Sequence, residues 1–99
     1  MKAIVLASGS EGNSTFFSAG DTRILIDIGK NAKYITNHLQ QINEDPKKID
    51  AILISHTHDD HVSALKIYLK KNHPKVYITE KMLYDLDYLR DYDNVVIYD

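Results

Sequence analysis

Apolar residues along the chain fall in short runs separated by small polar residues, and the period of the runs changes from one segment to the next. Ala3 to Ala7 is apolar and ends in Ser8-Gly9-Ser10-Glu11-Gly12-Asn13-Ser14, a stretch of turn formers that stops a regular element. This predicts a strand and then a loop. Thr15 to Ala19 and Arg23 to Ile28 are β-type runs on either side of a Gly20-Asp21 turn, so the chain is expected to open with a small antiparallel sheet. From Ala32 to Asn43 the period lengthens. Ile35, Leu39 and Ile42 recur at i, i+4 and i+7, an apolar stripe on a helix, with Pro46 just past its end. Ile49 to Ser55 is a nearly continuous β-branched run, the pattern of a strand covered on both faces. Leu65, Tyr68 and Leu69 predict a short helix broken at His73-Pro74, and Val76 to Thr79 predicts a strand. Leu83, Leu86 and Leu89 predict a last helix and Val95 to Tyr98 a final strand. The order ββ(β)αβαβαβ, with no internal repeat, belongs to a layered α/β domain.

Chemistry concentrates at one point. Ser55-His56-Thr57-His58-Asp59-Asp60-His61 follows the most apolar strand and holds three of the five histidines in seven residues. Side chains two apart on an extended segment point the same way, so His56 and His58 can face one ion, while Asp60 and His61 lie beyond the turn. These four residues are candidate metal ligands. The chain has no cysteine, which removes thiolate sites and leaves nitrogen and oxygen donors, suited to zinc, manganese or iron. Asp59 points the other way if the turn stays extended and is expected to be a solvated carboxylate.

Composition narrows the rest. A chain of 99 residues holds one small domain, given domains of ~100 to 200 residues. Its 43% hydrophobic and 26% charged residues are those of a folding chain. Twelve basic against fourteen acidic residues leave a net charge of -2, so overall charge does not drive nucleic-acid binding and only a local patch or a bound cation would hold a phosphate. The apolar runs are too short to cross a bilayer and the N-terminus has no signal-peptide pattern, so a cytoplasmic protein without a membrane partner is expected.

The spacing His56-x-His58-x-Asp60-His61 is similar to the His-x-His-x-Asp-His motif of the metallo-β-lactamase superfamily, and the chain resembles that family over its whole length. Leu25-Ile26-Asp27-Ile28-Gly29 resembles the family's first motif, which implies that Asp27 sits below the metal site and supports the ligand loop. The segment Ser8 to Ser14 resembles the opening of the WalJ/YycJ-type branch of bacterial hydrolases, regarded as DNA exonucleases. The resemblance implies an α/β fold, the N-terminal half of an αβ/βα sandwich, with a mixed sheet and helices on its outer face. Residues 1–99 would then be a partial domain that lacks the second sheet and the later metal motifs, either a fragment or a naturally short protein. Two divalent ions are implied, zinc or manganese with iron as a further option. His56 and His58 would hold one ion, and Asp60, also the candidate catalytic residue, would hold the second with His61. The implied reaction is hydrolysis of a phosphodiester or nucleic acid by metal-bound hydroxide. Rival readings are a hydrolase of small esters, thioesters or lactones, and a non-catalytic metal-binding or interaction module. A half-sandwich also exposes core, so self-association or domain swapping is expected.

Weaker features read as structure. His38 and His73 are expected at the surface, Lys66, Lys70 and Lys71 as a solvated helix face, and Tyr84, Tyr88 and Tyr92 as a partly buried flank. The Ser8 to Ser14 loop is expected to line the site entrance.

Overall fold

Each apolar run becomes a strand or a helix face of one sheet-and-helix unit. The computed structural model describes residues 1–98. Its elements are β1 (Lys2–Ala7), β2 (Ser14–Ala19), β3 (Thr22–Ile26), α1 (Ala32–Gln41), a 3-10 turn at Pro46–Lys48, β4 (Ala51–Leu53), α2 (Asp59–Val62), α3 (Leu65–Tyr68), β5 (Lys75–Ile78), α4 (Glu80–Asp85), a second 3-10 segment at Asp87–Asp91, and β6 (Val95–Ile97). The six strands form one mixed sheet in sequence order. β1, β2 and β3 pair antiparallel, and β3 to β6 pair parallel through helical crossovers.

Register explains where the core lies. Ile4 faces Phe16, Phe16 faces Leu25, Leu25 faces Ile52, Ile52 faces Val76 and Val76 faces Val95, so one apolar row crosses the whole sheet. Ile35 and Leu39 from α1 and Leu65 and Tyr68 from α3 are buried in the same cluster as this row. Asn31 caps α1 by accepting the Tyr34 N–H at 2.8 Å, and the predicted stripe of Ile35 and Leu39 is buried.

The opposite face of the sheet is open. Ile24, Ala51, Leu53 and Tyr77 line a groove of about 510 Å³ there. The β4 region is therefore fully covered on the helix side, where Ile52 and Ile54 are buried, while Leu53 on the other side is half-buried. That differs from the expected two-sided cover, because continuous apolarity records which side chains avoid water in the finished assembly and not which layer covers them. The last expected helix also differs, breaking at Leu86 into α4 and a 3-10 segment. Leucines at intervals of three match the 3.0-residue turn of a 3-10 helix better than the 3.6 of an α-helix.

One ion-pair network ties the first strands to the end of α1. Glu44, with its side chain 10% exposed, accepts from Arg23 Nε at 2.7 Å and Lys2 Nζ at 3.2 Å. Burial pushes the Glu44 carboxyl up, but the hydrogen bonds and charges of Arg23 and Lys2 outweigh it and hold the group below the usual range. A depressed folded-state pKa adds stability that is complete above the unfolded value of about 4.3 and lost as pH falls through the folded value. The urea midpoint of the wild type is thus expected to fall more steeply below that pH than the midpoint of Glu44→Gln, as denaturation curves at stepped pH would show.

Candidate metal centre

The parallel strands β3, β4 and β5 end at one edge of the sheet, where open α/β sheets carry their ligand sites. β3 stops at Ile26, and Asp27 takes the left-handed region with φ of 64°, which costs a non-glycine residue about 1 kcal/mol or more. Its contacts offset that strain. Asp27 is 5% exposed, its N–H donates to Leu53 O at 2.8 Å, and its carbonyl accepts from Ser14 Oγ at 2.9 Å. Its carboxylate reaches the segment after β4: Oδ1 accepts the Ser55 N–H at 2.7 Å, and Oδ2 accepts from Ser55 Oγ and from His61 Nδ1, the latter at 2.7 Å.

These contacts orient His61. A carboxylate has no proton to give, so Nδ1 is the donor, and in the neutral ring Nε2 then holds the lone pair. That Nε2 lies 3.5 Å from Asp60 Oδ2, close enough for both atoms to reach one ion. The His56 ring stands 4.6 Å from the His61 ring, and donor atoms of Asp27, His56 and His61 all lie within 4.8 Å of one another. Both oxygens of Asp27 are already engaged, by Ser55 and by His61.

The predicted residues are placed as follows. Asp60 and His61 sit on α2, His56 in the connection after β4, and His58 at the N-cap of α2 in extended backbone with φ of -66° and ψ of 152°. His58 is exposed, its carbonyl accepts the His61 N–H at 2.9 Å, and it shares with His56 a cleft of about 240 Å³ that Thr79, Lys81 and Asp85 also line. β4 ends at Leu53 and helix begins at Asp59, and His56 and His58, two apart on the connection between them, line one cleft. His56 also stands close to His61. Asp59 is exposed as expected, but as the first residue of α2 and not in an extended turn.

Asn13 and Gly29 were not singled out from the sequence. Asn13 Nδ2 donates to Asp60 Oδ2 at 3.0 Å and to Gly9 O at 2.9 Å, its Oδ1 accepts the Gly9 N–H at 3.2 Å, and its own N–H donates to Asp60 O at 2.6 Å. The Ser8 to Ser14 loop is thereby latched to the loop of candidate ligands. Gly29 lies beneath both, where a Cβ would stand 2.0 Å from Asp60 O and 2.5 Å from Asn13 N. Both lie within the two segments whose likeness to family motifs was noted, but neither segment's pattern assigned them a role.

Other candidates stay structural. His38 is half-buried, stacked 3.9 Å from Tyr34 with Nδ1 at 3.0 Å from Tyr34 O, and His73 is exposed beside Asp93 at 3.1 Å. Lys66 lies over the Tyr88 ring at 5.4 Å, and Tyr88 and Tyr92 pack edge to face against the core. Burial, with Tyr92 nearby, pushes the Tyr88 phenol up to about 12. Among the described residues no helix is long and apolar enough to cross a membrane.

Imidazole nitrogens and a carboxylate without thiolate fit a hard or borderline divalent ion. A family model described as the metallo-beta-lactamase superfamily matches residues 7–94. The chain is 40% identical over 80 residues to the exodeoxyribonuclease WalJ of Streptococcus pneumoniae, covering 81% of this chain and 30% of that protein. It is 31% identical over 85 residues to the exodeoxyribonuclease YycJ of Bacillus anthracis, covering 86% of this chain and 32% of that protein. The chain thus spans about a third of the length of these curated relatives. Among solved structures, a B3 metallo-beta-lactamase with an active-site glutamic acid superposes with a TM-score of 0.78 at 18% identity, covering 98% of this chain and 42% of that one. This last likeness is one of fold.

Proposed function

Because the chain belongs to the metallo-beta-lactamase superfamily, we propose that it is part of a metal-dependent hydrolase acting on phosphodiesters, a DNA exonuclease in kind. The observation that carries this reading is the His61 imidazole held by Asp27 with Nε2 turned to Asp60 Oδ2, beside His56 at the strand ends. The exodeoxyribonuclease names of WalJ and YycJ support the choice of substrate.

His56, His58, Asp60 and His61 are the proposed ligands of two divalent ions, zinc or manganese. Bound ions there supply two things, a water acidified toward neutral pKa and neutralisation of phosphate oxygens. The chain's own residues do the rest. Asp27 fixes His61, Asn13 holds the Asp60 carboxylate, and the cleft beside His56 and His58 offers the Lys81 ammonium to a polyanion. An acidic chain can then hold nucleic acid locally despite its net charge of -2. Ile24, Leu53 and Tyr77 on the open sheet face are proposed to seat a second layer, from further chain or from a second copy.

The test uses the protein at its full natural length, with end-labelled DNA and added manganese or zinc. Stepwise shortening of the DNA is expected, removed by chelator and by His61→Ala or Asp60→Ala in protein that remains folded. Intact DNA together with metal-dependent cleavage of a thioester would overturn the substrate assignment in favour of small-ester hydrolysis.

A further inference from the structure

Ser55 stands between Asp27 and His56. Its Oγ contacts Asp27 Oδ2 on one side and lies 2.8 Å from His56 Nδ1 on the other. Its backbone N–H donates to Asp27 Oδ1 at 2.7 Å, so the residue is fixed at two points. A hydroxyl has one proton. Asp27, a carboxylate, can only accept, so that proton goes to Oδ2, where reversing the bond would set two oxygen lone pairs against each other. Ser55 Oγ is then an acceptor toward His56, and His56 Nδ1 must carry the ring proton. His56 Nε2 is left with the lone pair.

We infer that Ser55 is a positioning residue that sets the tautomer of His56, relaying the acceptor character of Asp27 to an imidazole that Asp27 does not touch. One buried carboxylate thereby orders both rings: His61 directly through Nδ1, and His56 through the Ser55 hydroxyl. Each neutral histidine then presents an unprotonated Nε2, and a cation binds an unprotonated nitrogen without first shifting a proton between the two. The consequence for metal affinity rests on the proposed metal site, whereas the tautomer assignment does not.

Long-range proton–nitrogen NMR correlation on the metal-free protein reads the tautomer, at about pH 8.5, two units above the ordinary imidazole value. Zinc affinity is measured in parallel against a competing chelator. In the wild type, His56 is expected to be protonated at Nδ1. Ser55→Ala is expected to give mixed tautomers at His56, with His61 unchanged, and zinc affinity lower by ~10- to 100-fold, the usual effect of losing an outer hydrogen-bond partner. Ser55→Thr keeps the hydroxyl and is expected to restore both readouts. A wild-type His56 protonated at Nε2 would overturn the inference even if Ser55→Ala failed to fold. So would a tautomer and affinity unchanged in Ser55→Ala, or an affinity loss that threonine does not repair. Absence of zinc binding by the wild type would sink the metal reading, while the tautomer of His56 would still decide the role of Ser55.

Discussion

Asp27→Ala is expected to lower stability by about 3 kcal/mol, a figure that follows from removing a buried, charged hydrogen-bond acceptor and leaving its donors without a partner. The carboxylate takes the Ser55 N–H, the Ser55 hydroxyl and His61 Nδ1, so its loss loosens β4's exit and the start of α2 together. Alanine also tolerates the φ of 64° at this position less well than aspartate, which adds to the cost. Asp27→Asn separates shape from charge. It fills the same space but, in either amide orientation, presents an N–H2 to one of the donors now satisfied. Urea denaturation of the two variants against wild type checks both, and a midpoint for Asp27→Ala within error of wild type would show that the three contacts carry little energy.

Gly29→Ala is expected to be nearly as damaging for a steric reason. Its Cβ would stand 2.0 Å from Asp60 O, 2.5 Å from Asn13 N and 2.8 Å from Asp60 C, all backbone atoms with no rotamer to change. The first turn of α2, which carries Asp60, must move, at about 3 kcal/mol, the upper end of typical overpacking costs. That movement carries Asp60 away from Asn13 and His61, so metal uptake should fall along with the thermal midpoint. Ser10→Ala, on the exposed loop nearby, is expected to change stability by less than about 0.5 kcal/mol. Equal effects of the two substitutions would contradict the close packing described beneath the site.

How much of this was legible in the sequence depended on the range of the interaction. The apolar runs at Ala3, Thr15, Arg23, Ile49, Val76 and Val95 each became a strand, because alternation and β-branching act within one segment. The cluster from His56 to His61 marked the site for the same reason, being seven consecutive residues. The braces were another matter. Asp27 meets Ser55 across 28 positions and His61 across 34, and Asn13 meets Asp60 across 47. These contacts exist only after β3 and β4 pair in register, which periodicity does not specify. Asp27 was reached through its likeness to a family motif; Asn13 lay in a second such segment without an assigned role, and Ser55 had no signal beyond its place beside the histidines. The approach of the His56 and His61 rings to 4.6 Å likewise had no local signal, because it depends on the helix that starts at Asp59.

The segment held by Asp27, from Ser55 to His61, is proposed to bind divalent metal. Native mass spectrometry of the full-length protein after zinc or manganese addition tests it most directly, since one spectrum reports ions per chain and assembly state. The wild type is expected to carry stoichiometric metal, and a folded His56→Ala/His61→Ala double variant to lose it. Equal metal uptake by the two proteins would contradict the account and place the ion elsewhere.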